Sequence, residues 1–124
     1  MGASTKELTS ENFWDEIKKP GIVAVDFWAS WCGPCRMFGP VFEKSAEANP
    51  DIVHAKVDTE AQQALAADCN ITSIPNLMIF RDGVLVFNQP GALPAPAFAD
   101  VLEKVKALDM DKVKAEIAAS GTPQ

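Results

Sequence analysis

The chain has 124 residues, 48% hydrophobic and 23% charged, a balance that suits one folded domain with a core of its own. Its formal charge of −6 leaves no basic stripe to neutralise phosphates, so nucleic acid is excluded as a partner. No apolar run approaches membrane-spanning length, and Met1-Gly2-Ala3-Ser4-Thr5-Lys6 carries neither a secretory apolar stretch nor the myristoylation pattern.

In chain order, residues 11–19 form the first amphipathic segment, a helix capped by Thr9 or Ser10, with Phe13, Trp14 and Ile17 inward and Pro20-Gly21 ending it. Residues 22–28 are an apolar run rich in β-branched and aromatic side chains, the pattern of a buried strand. After a turn at Ala29-Ser30-Trp31, residues 32–49 read as a helix in which Pro40 should introduce a kink and Gly39 weakens the local propensity. A second strand spans 52–58, and 60–68, rich in Ala and Gln, makes a short helix.

Residues 77–81 and 84–88 flank Asp82-Gly83, a strong hairpin signal. Phe98, Val101, Leu102, Val105 and Leu108 then form a helical stripe. The order β-α-β-α-β-α-β-β-α indicates an α/β domain whose largely parallel sheet ends in a hairpin. Past residue 108, Met110, Val113 and Ile117 predict one or two further helical turns over 109–119, marginal without packing, and the polar tail after Ala119 reads as disordered. Residues 1–108 are therefore expected to be the domain and 109–124 an extension.

The chemistry concentrates at Cys32 and Cys35. Three cysteines do not make a disulfide framework, and the compartment expected by default is the reducing cytoplasm, where a Cys-x-x-Cys pair reads as redox chemistry or metal. Two cysteines three apart on a helix share one face and lie close enough to bridge. Cys32 would sit at the helix N-terminus, where free N–H groups and the macrodipole favour a thiolate, while Cys35 is one turn deeper and shielded. That asymmetry makes Cys32 the attacking sulfur and Cys35 the resolving one. Zinc held by Cys32, Cys35, His54 and Cys69 is the rival reading, disfavoured because a second close ligand pair is missing, so no metal is expected.

Trp31-Cys32-Gly33-Pro34-Cys35, following Val25-Asp26-Phe27-Trp28-Ala29, closely resembles the thioredoxin family. Pro40, Ala55-Lys56-Val57-Asp58, Ile74-Pro75, Asp82-Gly83 and Gly91-Ala92-Leu93 match in order, so the resemblance covers about 6–108. It implies the thioredoxin fold, a central mixed sheet of about five strands flanked by about four helices, and protein-disulfide reductase activity. No cofactor would be bound; the redox group would be the Cys32–Cys35 disulfide, recharged by a thioredoxin reductase that draws on NADPH. The partners implied are that reductase and disulfide-containing client proteins, met by a monomer. Relatives with a dipeptide other than Gly33-Pro34 tend to be oxidants, isomerases or glutathione-linked.

Asp26 is a carboxylate inside an apolar strand, and pattern alone leaves open whether it is buried or lies on an edge strand with access to water. The resemblance implies a buried acid beneath the dithiol that exchanges a proton with the resolving cysteine, with Lys56 close enough to influence its charge; an ordinary solvated lysine is the alternative. It also implies a cis peptide at Pro75, after Ile74, shaping a groove where a substrate strand can pair. Trp31, Gly33, Pro34, Ile74, Pro75, Gly91 and Ala92 would form the docking rim, an apolar patch suited to varied protein partners. Asn76 departs from the Thr that commonly follows the proline. Trp14, Phe27 and Phe80 read as core, His54 as a solvated or capping residue on a strand reaching the surface, and Cys69 as a small buried hydrophobe near a helix end.

Overall fold

The computed structural model describes residues 4–120. Five strands form one mixed sheet: β1 (Thr5–Glu7), β2 (Ile22–Trp28), β3 (Val53–Asp58), β4 (Asn76–Arg81) and β5 (Val84–Pro90), in the order β1-β3-β2-β4-β5. The pairs β1–β3 and β3–β2 are parallel, whereas β2–β4 and β4–β5 are antiparallel, so the sheet is evenly mixed rather than largely parallel. The helices are α1 (Phe13–Ile17), α2 (Gly33–Ala48), α3 (Gln63–Asp68), α4 (Ala95–Lys106) and α5 (Met110–Ser120).

Alternation along β2 sorts the core into two layers. Val23, Val25 and Phe27 pack with Phe13 and Ile17 of α1 and Leu65 of α3 on one face. Ala24 packs on the other with Phe38 and Phe42 of α2 and Phe98 and Leu102 of α4. Asp26 shares the parity of Ala24 and therefore lies on the face covered by α2. With β3 on one side and β4 on the other, β2 is central, and the edge-strand reading of Asp26 is overturned.

Several local expectations shift. Helix α1 starts later, at Asn12 rather than Thr9 or Ser10, because Thr9 turns the chain beforehand: its N–H donates to Asn12 Oδ1 at 2.7 Å. A five-residue helix buries only one narrow face, so Trp14, 43% exposed, lies outside the core with its ring edge-on to Phe13. Helix α3 starts at Gln63, not residue 60, because the Asp58 carboxylate accepts the N–H groups of Glu60 and Ala61 in a preceding turn. His54 is buried, since β3 lies between β1 and β2. Its Nδ1–H donates to Ile52 O at 3.1 Å, and Nε2 accepts the Ser45 hydroxyl at 2.9 Å. Burial accordingly holds the His54 pKa below its usual value.

The hairpin tip has positive φ at both Asp82 (52°) and Gly83 (81°), as a type I′ turn requires. Asp82 also accepts the Gly21 N–H at 2.8 Å, which fastens this tip to the start of β2. Helix α5 runs for eleven residues but buries only Met110, leaving Val113 and Ile117 half-buried. Ser120, expected to begin a disordered tail, still belongs to that helix; the rest of that expectation, residues 121–124, falls outside the described residues.

Candidate functional site

The site forms where β2 runs into α2. Trp28 ends the strand, Ala29 is buried at the turn, and Cys32 caps α2 with an extended backbone, φ −89° and ψ 115°. Pro34 occupies the first turn of the helix, where the missing proline N–H breaks no helical bond. The Cys35 N–H donates to Cys32 Sγ at 3.2 Å, so the cysteine sulfur takes the place of a capping oxygen. The two cysteines are joined by a disulfide, with their Cα atoms 5.2 Å apart.

The expected contrast between a reachable Cys32 and a shielded Cys35 is absent from their surface areas, 4% and 5% exposed. What distinguishes them is position: Cys32 receives the helix N–H, and its Sγ lies 3.6 Å from Ile74 O. Among its neighbours, Trp31 is 65% exposed, Gly33 and Pro34 are exposed, and Ile74 is half-buried.

The loop from 70 to 75 brings the second part of the site to the first. The Ile74–Pro75 peptide is cis. Pro75 is buried, and its carbonyl accepts the Gly91 N–H at 2.7 Å. Gly91 adopts φ +100°, a conformation that disfavours any side chain, and it and Ala92 are exposed beside the β4–β5 end. Trp31, Gly33, Pro34, Ile74, Pro75, Gly91 and Ala92 thus come from three separate stretches of chain. Asn76, where a Thr is usual, donates from Nδ2 to Asn88 Oδ1 at 2.7 Å, an amide pair across the hairpin. Sequence reasoning missed the shallow depression of about 170 Å³ beside Trp31 and Ile74, lined also by Thr59, Ala66, Ile71, Thr72 and Ser73. The only signal for it was the adjacency of Thr72-Ser73 to Ile74-Pro75.

Asp26 is fully buried, and neither carboxylate oxygen has a hydrogen-bond partner among the described residues. Burial pushes its pKa up to about 7; Lys56 opposes that rise and Glu43 adds to it. Lys56 stands opposite Asp26 in the β2–β3 register and is largely buried, not solvated. Its Nζ lies 3.5 Å from Glu43 Oε2 on α2 and 5.1 Å from the centre of the Trp28 ring. Nothing in the sequence pattern singled out Glu43.

The four residues of the zinc alternative do not converge. Cys32 and Cys35 are bonded to each other, and both His54 nitrogens are engaged. Cys69, half-buried at the C-terminus of α3, packs against the α1–α3 layer of the core, in keeping with its reading as a small hydrophobe near a helix end. Among the described residues no group of three or more His, Cys, Asp or Glu is arranged to hold a metal ion.

A bridged cysteine pair at a helix start, set on a mixed five-stranded sheet beside a cis-proline, defines a dithiol–disulfide oxidoreductase. The sequence model of the Thioredoxin family matches residues 4–118, and the chain belongs to that family. It is 57% identical over 115 residues to the putative thioredoxin 2 of Streptomyces coelicolor, covering 93% of this chain and 86% of that protein. It is 43% identical over 99 residues to thioredoxin 1 of Synechococcus elongatus, covering 78% of this chain and 92% of that one. Among solved structures, a mutant thioredoxin from Halobacterium salinarum superposes with a TM-score of 0.77 at 32% identity, covering 87% of this chain and 96% of that one. The Plasmodium falciparum thioredoxin superposes with a TM-score of 0.74 at 32% identity, covering 81% and 98%. Protein-disulfide reduction through the Cys32–Cys35 pair is the activity these findings support.

Proposed function

We propose that Cys32 and Cys35 act in sequence and that Asp26 takes up the proton of the resolving Cys35. The Cys32 thiolate attacks one sulfur of a substrate disulfide, forming a mixed disulfide and releasing the other sulfur as a thiolate. Asp26 then takes the Cys35 thiol proton. The Cys35 thiolate attacks Cys32 Sγ, closing the Cys32–Cys35 disulfide and releasing the second substrate thiolate. Two electrons pass to the substrate, one of whose thiolates is protonated by the proton Asp26 gives back and the other by water. The observation that carries this reading is the Cys35 N–H directed at Cys32 Sγ on the helix cap, a donor that favours a charged sulfur there.

A carboxyl group with a pKa near 7 is matched to accept and return protons at neutral pH, which supports the role of Asp26. Lys56, opposite it in register, supports a role in setting its charge. Substrates dock on Trp31, Gly33, Pro34, Ile74, Pro75, Gly91 and Ala92, an exposed rim about the buried sulfurs with Pro75 at its base. A thioredoxin reductase drawing on NADPH recharges the disulfide, and the protein works as a monomer in the cytoplasm. The domain closes near residue 108, with 109–124 as an extension.

The test is a coupled assay with NADPH, a thioredoxin reductase and insulin. Chain-dependent NADPH oxidation with precipitation of reduced insulin is expected. If NADPH is not consumed while the pair is demonstrably oxidised, recharging by that reductase is wrong.

A further inference from the structure

Between the sheet and α2, Asp26 of β2 and Glu43 of α2 stand near one ammonium, that of Lys56 on β3. Asp26 and Lys56 are neighbours in register, and parallel strands stand only about 4.8 Å apart. Lys56 nevertheless directs its ammonium at Glu43 Oε2, 3.5 Å away, and at the Trp28 ring. The same Glu43 oxygen accepts the Thr5 hydroxyl at 3.4 Å, which ties β1 to α2 at this point. Asp26 is left without a partner among the described residues.

We infer that Glu43 is a positioning residue for proton transfer: by drawing the Lys56 ammonium onto itself, it leaves Asp26 unpaired and able to take and return a proton. This rests on the proposed role of Asp26. Asp58, two residues on from Lys56 on the same face of β3, accepts the Glu60 and Ala61 N–H groups, and the remaining groups about Asp26 leave the competition to these three. Leu77, its partner on β4, is uncharged, and Cys35 lies in the disulfide. His54, on the same face of β3, has its pKa lowered by burial, and both its nitrogens are already hydrogen-bonded. Glu7, opposite Lys56 on β1, is exposed, as are Arg36, Lys44 and Glu47 on the outer side of α2. The flexible lysine stem lets the ammonium change partner when one carboxylate is removed. The two electrostatic influences on Asp26 have the matching signs, Lys56 favouring its charged form and Glu43 opposing it.

The experiment follows the Asp26 carboxyl resonance against pH by NMR, beside the pH profile of insulin reduction. Glu43→Gln should release Lys56 to Asp26 and move the Asp26 midpoint down by about one pH unit or more. The activity profile should shift in the same direction. An Asp26 midpoint unchanged or raised by Glu43→Gln overturns the inference. Lys56→Met should raise the midpoint, and adding Glu43→Gln to it should move the midpoint by less than half as much as in the wild type. An equal shift in both backgrounds would show direct repulsion by Glu43 and overturn the part played by Lys56. Asp26→Asn separates the two ideas: if it leaves the activity profile unchanged, the proton role of Asp26 fails, while the NMR midpoint still decides whether Glu43 governs Lys56.

Discussion

Cys32 Sγ lies 3.6 Å from the carbonyl oxygen of Ile74, across 42 residues of sequence. That approach brings the start of α2 against the cis-proline loop. Through the bond from Gly91 N–H to Pro75 O, the same loop is held to the end of the hairpin.

Cys32→Ser should abolish insulin reduction, and Cys35→Ser should accumulate mixed disulfides through Cys32. Non-reducing gels and peptide mapping of the trapped species check this. Trapping through Cys69 in the Cys35→Ser protein would reverse the assignment.

Asp26 ties activity to stability. Its folded pKa of about 7 stands above an unfolded value of about 3.9, so the native state binds more protons between those limits. Stability should fall as pH rises through that window, by roughly 4 kcal/mol in all once the group is ionised. Asp26→Ala should accordingly stabilise the protein more at pH 8 than at pH 4, while slowing turnover. Denaturant melts at the two pH values measure the gap; an equal or smaller gain at pH 8 means the carboxylate is not held out of water.

Cys69 should be a bystander. Burial, with a smaller contribution from Asp68, pushes its thiol up to about 11. At neutral pH its alkylation by iodoacetamide should run about two orders of magnitude slower than that of an unperturbed thiol. Cys69→Ser should leave turnover nearly unchanged, and a large loss would move this residue into the mechanism.

Arg81 fastens the C-terminal end of α4 to the sheet. The two N–H groups of its Nη1 are shared among the carbonyls of Val105, Lys106 and Leu108, at 2.8, 3.1 and 2.7 Å. Arg81→Met should lower stability by about 2–3 kcal/mol, with activity per folded molecule retained. Truncation after Leu108 keeps these carbonyls and removes the burial of Met110 with the partial burial of Val113 and Ile117, so it should cost about 1–3 kcal/mol and leave activity intact. An unfolded truncation product would make the extension part of the core.

Features whose physics is local were readable from the sequence. A three-residue spacing places two cysteines on one helical face whatever surrounds them, and Asp82-Gly83 selects its turn through backbone conformations those two residues tolerate. The apolar stripes of β2 and α4 record burial directly in their composition. Strand order is not recorded that way, because pairing joins segments distant in the chain, and strand order decides what is buried. Only the placement of β2 between β3 and β4 seals Asp26 from water, and only β3 between β1 and β2 buries His54. Trp14 fails as a core residue for the related reason that a short helix has a single narrow buried face. The partner of Lys56 likewise depended on which carboxylate α2 lowers onto the sheet, a matter of packing between elements that no spacing in the chain encodes.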